Sequence, residues 1–233
     1  MSALGVLRSV NVGLPREAAW AGIGRTSIDK APVHGPVEVH RLGPAGDQVS
    51  DTRHHGGPDQ AVYAFAREEL EWWAERLGDE LRDGEFGENL TTSGLDVDEA
   101  EVGERWRIGT VVLEVASVRT PCNDFKQWMG RGGHDNTAWV RRFAERARPG
   151  AYLRVLQPGV LEAGDTIEVV HRPGHGVTAS YVFRALTLEP ALLPELLEVD
   201  GLAERVRWRA QQRADQQVEQ QVQKLGQQPA TGR

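Results

Sequence analysis

Apolar and polar residues alternate along several short stretches of the chain. Val6 to Val12 and Val111 to Val118 carry the two-residue period of a half-buried strand, Ala151 to Leu156 and Asp165 to Val170 also read as strands, Ala61 to Phe65 is a short apolar strand, and Val37 to Val49 reads as two short strands around a glycine and proline turn. Glycine and proline punctuate them, as at Gly13-Leu14-Pro15, Pro158-Gly159 and Gly164. Only Arg67 to Leu77, with Leu70, Trp73, Ala74 and Leu77 on one face, and Thr137 to Ala147, closed by Pro149-Gly150, show a helical period in the first three quarters of the chain. Short strands with frequent turns and few helices predict a barrel or sandwich, not a doubly wound sheet.

The period changes after His171-Arg172-Pro173-Gly174. Thr178 is placed to cap a helix through about Leu186, a second helix is predicted over Ala191 to Val199, and a third begins at Leu202 and enters a glutamine-rich tail. The expected division is a barrel domain over 1–173, a three-helix domain over 174–215, and a frayed or disordered tail over 216–233.

A chain of 233 residues with 39% apolar content can bury a sizeable core. Its net charge of −7 disfavours nucleic-acid coating or membrane-surface binding, both of which need a broad cationic face. The one cysteine excludes an internal disulfide and any paired-cysteine metal site, and MSALGVLRSV lacks the long apolar run of a secretory signal. A reduced, cytoplasmic setting is the expectation.

The cysteine, Cys122, follows the predicted strand at Val111 to Val118, with Pro121 ending the strand and Arg119 three positions earlier. An arginine beside a thiol favours the thiolate, the form that attacks electrophiles or binds metal; a small buried hydrophobe is the bland alternative. Upstream, Asp51-Thr52-Arg53-His54-His55-Gly56-Gly57-Pro58-Asp59-Gln60 surrounds a glycine turn with imidazole and arginine donors. Adjacent histidines on extended chain face opposite ways, which argues against a zinc site there. Gly84-Glu85-Phe86-Gly87-Glu88-Asn89-Leu90 sets a carboxylate beside an amide, suited either to reading a pterin or purine ring or to capping a turn. Gly22 to Ser27 lacks the ending of a phosphate loop and is read as turn chemistry, and Lys30 is by default a surface lysine.

Taken together, DTRHHGGPDQAV (51–62), FGENL (86–90) and RTPC (119–122), in that order and followed by a helical segment, resemble the MOSC family and more closely its YiiM-like branch. That resemblance implies a β-dominated α+β chain: a MOSC-type β-barrel followed by a small three-helix C-terminal domain. It further implies a molybdenum cofactor (molybdopterin) enzyme in which Cys122 is the catalytic residue and the protein's metal ligand. Lys30 and Arg119 would pair with cofactor phosphate or pterin oxygen, His55 and Asn89 would line the pocket, and Arg154 is a further candidate anion partner. The implied reaction is reductive removal of oxygen from an N-hydroxylated base such as 6-hydroxylaminopurine, a detoxification. Electrons would come from an external flavoprotein or ferredoxin-type donor, since the chain has no flavin or nicotinamide fingerprint. No nucleic-acid or membrane partner is expected, pyridoxal phosphate is not expected, and a homodimer is left open. The alternative is a non-catalytic carrier of sulfur or molybdenum cofactor, with a thiolate hydrolase using His54 or His55 as a third reading.

Overall fold

The computed structural model describes residues 4–226. Seven strands close into a barrel: β1 (Leu4–Val12), β2 (Val62–Ala66), β3 (Leu90–Ser93), β4 (Arg105–Ile108), β5 (Val111–Ser117), β6 (Ala151–Gln157) and β7 (Thr166–His171). Around the ring the order is β1, β3, β2, β6, β5, β4, β7, and β7 returns to β1 with Gly5 opposite Ile167. Closure leaves no free edge among these strands. Every pairing in the ring is antiparallel except β2 with β3, where Ala64 lies beside Leu90. The inward-pointing residues, among them Leu7, Val10, Leu113, Val115, Leu153 and Ile167, form one buried core, which the two-residue period of the strands dictates.

A second, aromatic core lies outside the ring. Helices α1 (Arg67–Leu77), α2 (Asn123–Arg131) and α3 (Trp139–Arg146) contribute Trp73, Phe125, Trp139 and Phe143, which surround Phe86. The C-terminal segment packs into this same core. Helix α4 (Ala179–Thr187) brings Val182 and Phe183, a 3₁₀ segment over Pro190–Glu198 brings Leu193 and Leu196, and α5 (Glu204–Gly226) brings Val206 and Ala210.

Several boundaries differ from those predicted. Thr178 caps α4 as expected, its hydroxyl accepting from the Tyr181 N–H at 3.3 Å. The predicted second helix is a 3₁₀ segment, because Pro190 and Pro194 deny it the donors of a regular α-helix. The tail expected to fray from residue 216 continues as α5 through Gly226, and 227–233 lie outside the described residues. No helix among the described residues is long and apolar enough to cross a membrane. The most consequential difference is α2, a helix absent from the sequence reading, which begins directly after Cys122.

Candidate functional site

Strand β5 ends at Ser117, and the chain then runs through Arg119-Thr120-Pro121 to Cys122, which stands at the N-cap of α2 in extended conformation. Its Sγ accepts a hydrogen bond from the Phe125 N–H at 3.4 Å, the role a serine or aspartate oxygen plays at most helix starts. The thiol is free and half-buried. It therefore sits where a helix N-terminus supplies partial positive charge to a sulfur open to one side.

That side is a cavity of about 130 Å³. Lys30, His55, Asn89, Arg119 and Cys122 all line it, so five of the six residues singled out in the sequence meet at one place. The sixth does not. Arg154 donates to Asp59 Oδ1 at 2.6 Å and to Glu114 Oε1 at 2.7 Å and lies outside the cavity's lining. These partners come from far along the chain, and they make Arg154 a brace between β6 and the histidine-bearing loop, not an anion ligand of the cavity.

Arg119 is 8% exposed and donates to the carbonyl of Phe86. Among the described residues no carboxylate comes within ion-pairing distance of its guanidinium, which instead lies 4.2 Å from the Phe125 ring centroid. A buried, always-charged group with no counter-ion calls for an anion from outside the protein. Lys30, read as a surface lysine, is also 8% exposed; it is ion-paired with Asp47, and burial lowers its pKa against the pull of that carboxylate. Burial, then the charge of Arg119, also lowers the His55 pKa, which favours a neutral ring at pH 7. His54, by contrast, turns outward to Asp51 Oδ2 at 2.8 Å.

The FGENL segment is mainly a scaffold. Glu88 is fully buried; it accepts from the backbone N–H of Gly84 at 2.6 Å and of Phe86 at 3.0 Å, and from the Thr91 hydroxyl at 2.9 Å. Burial pushes its pKa up to about 7 despite those bonds. Asn89 lines the cavity, but its amide is engaged by protein: Oδ1 accepts from the Tyr63 N–H at 3.1 Å, and Nδ2 donates to Asp47 Oδ2 at 3.0 Å and to the Asn11 carbonyl at 3.2 Å. Of the two roles open to this pair, turn and loop fixation is the one observed. Gly87 has φ +75°, and a Cβ there would come within 3.3 Å of Arg119 Nη1 and 3.1 Å of the Ile28 side chain. A glycine at this position keeps the space beside the guanidinium clear.

Other parts of the wall come from outside the three motifs. Arg25, Thr26 and Ser27, from the segment read as turn chemistry, line the cavity, as do Asp47, Tyr152 and Asp124. Asp124 accepts from the Gly22 N–H at 3.1 Å and so ties α2 to that turn. Only its place two residues after Cys122 could have flagged it. For Asp47 and Tyr152 the sequence carries no signal, because barrel closure alone brings them in.

A soft sulfur at one point and, around it, a lysine, a neutral imidazole and a buried guanidinium with no carboxylate partner among the described residues form a donor set that fits a metal–pterin group bearing a phosphate. Cys122 would hold the metal, and Arg119 and Lys30 the anionic groups.

The MOSC domain model matches residues 51–168, which contain all three motifs. An uncharacterized protein of Bacillus subtilis, YflK, is 30% identical over 177 residues, which cover 76% of this chain and 78% of that protein. A protein of Gibberella moniliformis named Reductase is 32% identical over 176 residues, 72% of this chain but only 30% of that longer protein. The crystal structure of YiiM from Geobacillus stearothermophilus is similar with a TM-score of 0.74 and 27% identity, covering 90% of this chain and 98% of that one. The sequence match across the three motifs and the shared barrel with its C-terminal helices agree, and the chain belongs to the MOSC domain family, in its YiiM-like branch.

Proposed function

We propose that this protein is a molybdenum cofactor-dependent reductase that removes oxygen from N-hydroxylated bases or related compounds, with 6-hydroxylaminopurine as the type substrate. The observation that carries this reading is the half-buried Cys122 sulfur at the start of α2, facing a cavity in which the buried Arg119 has no carboxylate within ion-pairing distance among the described residues. The fungal relative named Reductase supports a reductive role, although this chain spans under a third of it.

The reaction is R–NHOH plus two electrons and two protons giving R–NH₂ and water; the N–O bond breaks and the oxygen leaves as water. A molybdenum pterin, when bound, supplies a two-electron oxygen-atom acceptor. The chain's residues do the rest. Cys122 Sγ anchors the metal, and Arg119 and Lys30 fix the anionic part of the cofactor. Asp47 holds the Lys30 ammonium in place, and Asn89 holds Asp47. The His55 ring, neutral at pH 7, accepts or passes a proton at a ring nitrogen on the cavity wall. Tyr63 and Tyr152 narrow the space and restrict water. Electrons come from an external flavoprotein or ferredoxin-type donor, and the reduced environment this requires matches a cytoplasmic setting.

Cofactor-loaded protein supplied with a chemical reductant and 6-hydroxylaminopurine tests the proposal. Adenine formation above a cofactor-free control is expected. Absence of product, with cofactor still bound, would favour a carrier of sulfur or cofactor.

A further inference from the structure

The cavity at Cys122 has a neighbour. His55, Gln60 and Tyr152 line it and also line a second space of about 80 Å³, so the two meet across these three side chains. The far wall of the second space belongs to α5, which contributes Arg205 and Arg209, with His54 beside them. None of the residues lining it is a carboxylate, in a chain whose net charge is −7.

Arg205 donates to the backbone carbonyls of His54 at 2.6 Å and Arg53 at 2.7 Å. Those bonds fix the guanidinium without cancelling its charge. For Arg209, no carboxylate among the described residues lies within ion-pairing distance. The two arginines are four residues apart on α5 and so share a face, an arrangement of like charges that disfavours the helix unless an anion lies between them. Thr120, from the cysteine loop, lines the same space. The Arg209 fork, the positive charge of Arg205 and the polar Thr120 beside them suit a phosphate monoester.

We propose that this space is a phosphate-monoester subsite and that the compound reduced at Cys122 is an N-hydroxylated purine nucleotide instead of the free base. The substrate assignment rests on the reductase reading above. The chemistry is unchanged: the N–O bond of the hydroxylamino group breaks, two electrons come from the external donor, two protons enter, water leaves, and the phosphate ester is not touched. Binding energy from the remote phosphate orients the reacting nitrogen. The cofactor's own phosphate has the same chemistry, so the test separates the two sources.

Titration calorimetry on the cofactor-free full chain compares adenosine 5′-monophosphate with adenosine. The monophosphate is expected to bind at least about tenfold more tightly, and Arg209→Ala should bring the ratio close to one. Equal binding of the two compounds, or a preference that survives both Arg209→Ala and Arg205→Ala, overturns the subsite. In the loaded enzyme, kcat/KM for the nucleotide should exceed that for 6-hydroxylaminopurine by a similar factor, and Arg209→Ala should lower that ratio. If the base is reduced and the nucleotide is no better, the substrate assignment fails while the reductase reading stands. If neither is reduced, the reductase reading falls and the substrate assignment with it, and the subsite is decided by calorimetry alone. Loss of molybdenum from Arg209→Ala would assign the space to the cofactor's phosphate and overturn the proposal.

Discussion

Phe86 offers the sharpest test of how the motifs are held together. Its ring is fully buried and lies between 5.1 and 6.3 Å, centroid to centroid, from Phe65, Trp73, Phe125, Trp139 and Phe143. Phe65 follows the first motif, Phe86 opens the second, and Phe125 follows the third, so one ring ties all three beneath the cavity. Phe86→Ala should cost about 3–5 kcal/mol, toward the upper end because five aromatic neighbours cannot collapse into the void together. For a chain of this size each kcal/mol lowers Tm by about 2–4 °C, so a fall of roughly 10–15 °C is expected. A consequence for the site follows, since the Phe86 carbonyl accepts from Arg119 and its N–H donates to Glu88. Thermal and urea unfolding of Phe86→Ala should be compared with Leu153→Ala, a deletion inside the barrel core. At equal loss of stability, cofactor retention should fall further in Phe86→Ala. A melting point within about 2 °C of wild type, or equal retention in the two variants, would refute the idea that this cluster sets the cavity.

Three further outcomes are expected. Gly87→Ala, at φ +75° and against Arg119, should cost more than about 1 kcal/mol and lower cofactor content, read by unfolding and by metal analysis. Arg154→Met should destabilise by about 1–3 kcal/mol by freeing Asp59 and Glu114, with reduction kinetics changed only through the adjoining loop; a selective loss of anion binding would contradict its role as a brace. The pKa values of Glu88 and Asp98 are raised by burial to about 7, above their unfolded values, so the folded chain holds protons that the unfolded chain releases. Their contribution is complete below the unfolded values and is lost as pH rises through 7, on the order of 3–4 kcal/mol per group; denaturant unfolding near pH 5 and pH 8 should show a smaller loss in Glu88→Gln than in wild type.

Five of the seven barrel strands (β1, β2, β5, β6 and β7) and α1 were legible because their apolar runs are continuous and their turns carry glycine or proline; β3 and β4, four residues each, are too short to show a period of their own. Thr178 announced α4 for the same kind of local reason, a hydroxyl ahead of an amphipathic run. Helix α2 was not legible: its cap is a cysteine, a weak acceptor, and it is only nine residues long. Lys30 and Arg154 show the limit for charged residues. Lys30 looks like a surface lysine until closure of the barrel buries it beside Asp47, and Arg154 looks like a free cation until Asp59 and Glu114 arrive from distant parts of the chain. The FGENL pair could be named but not assigned, since the atoms that Glu88 and Asn89 bond are mostly backbone groups whose positions only the fold determines.

The central claim is that the Cys122 sulfur is the protein's bond to molybdenum. Chain purified from cells able to make the cofactor should be analysed for molybdenum and extractable pterin alongside Cys122→Ser, with circular dichroism to confirm an unchanged fold. Stoichiometric metal in the wild type and its loss from the folded variant are predicted; a folded Cys122→Ser protein with undiminished molybdenum would contradict the account.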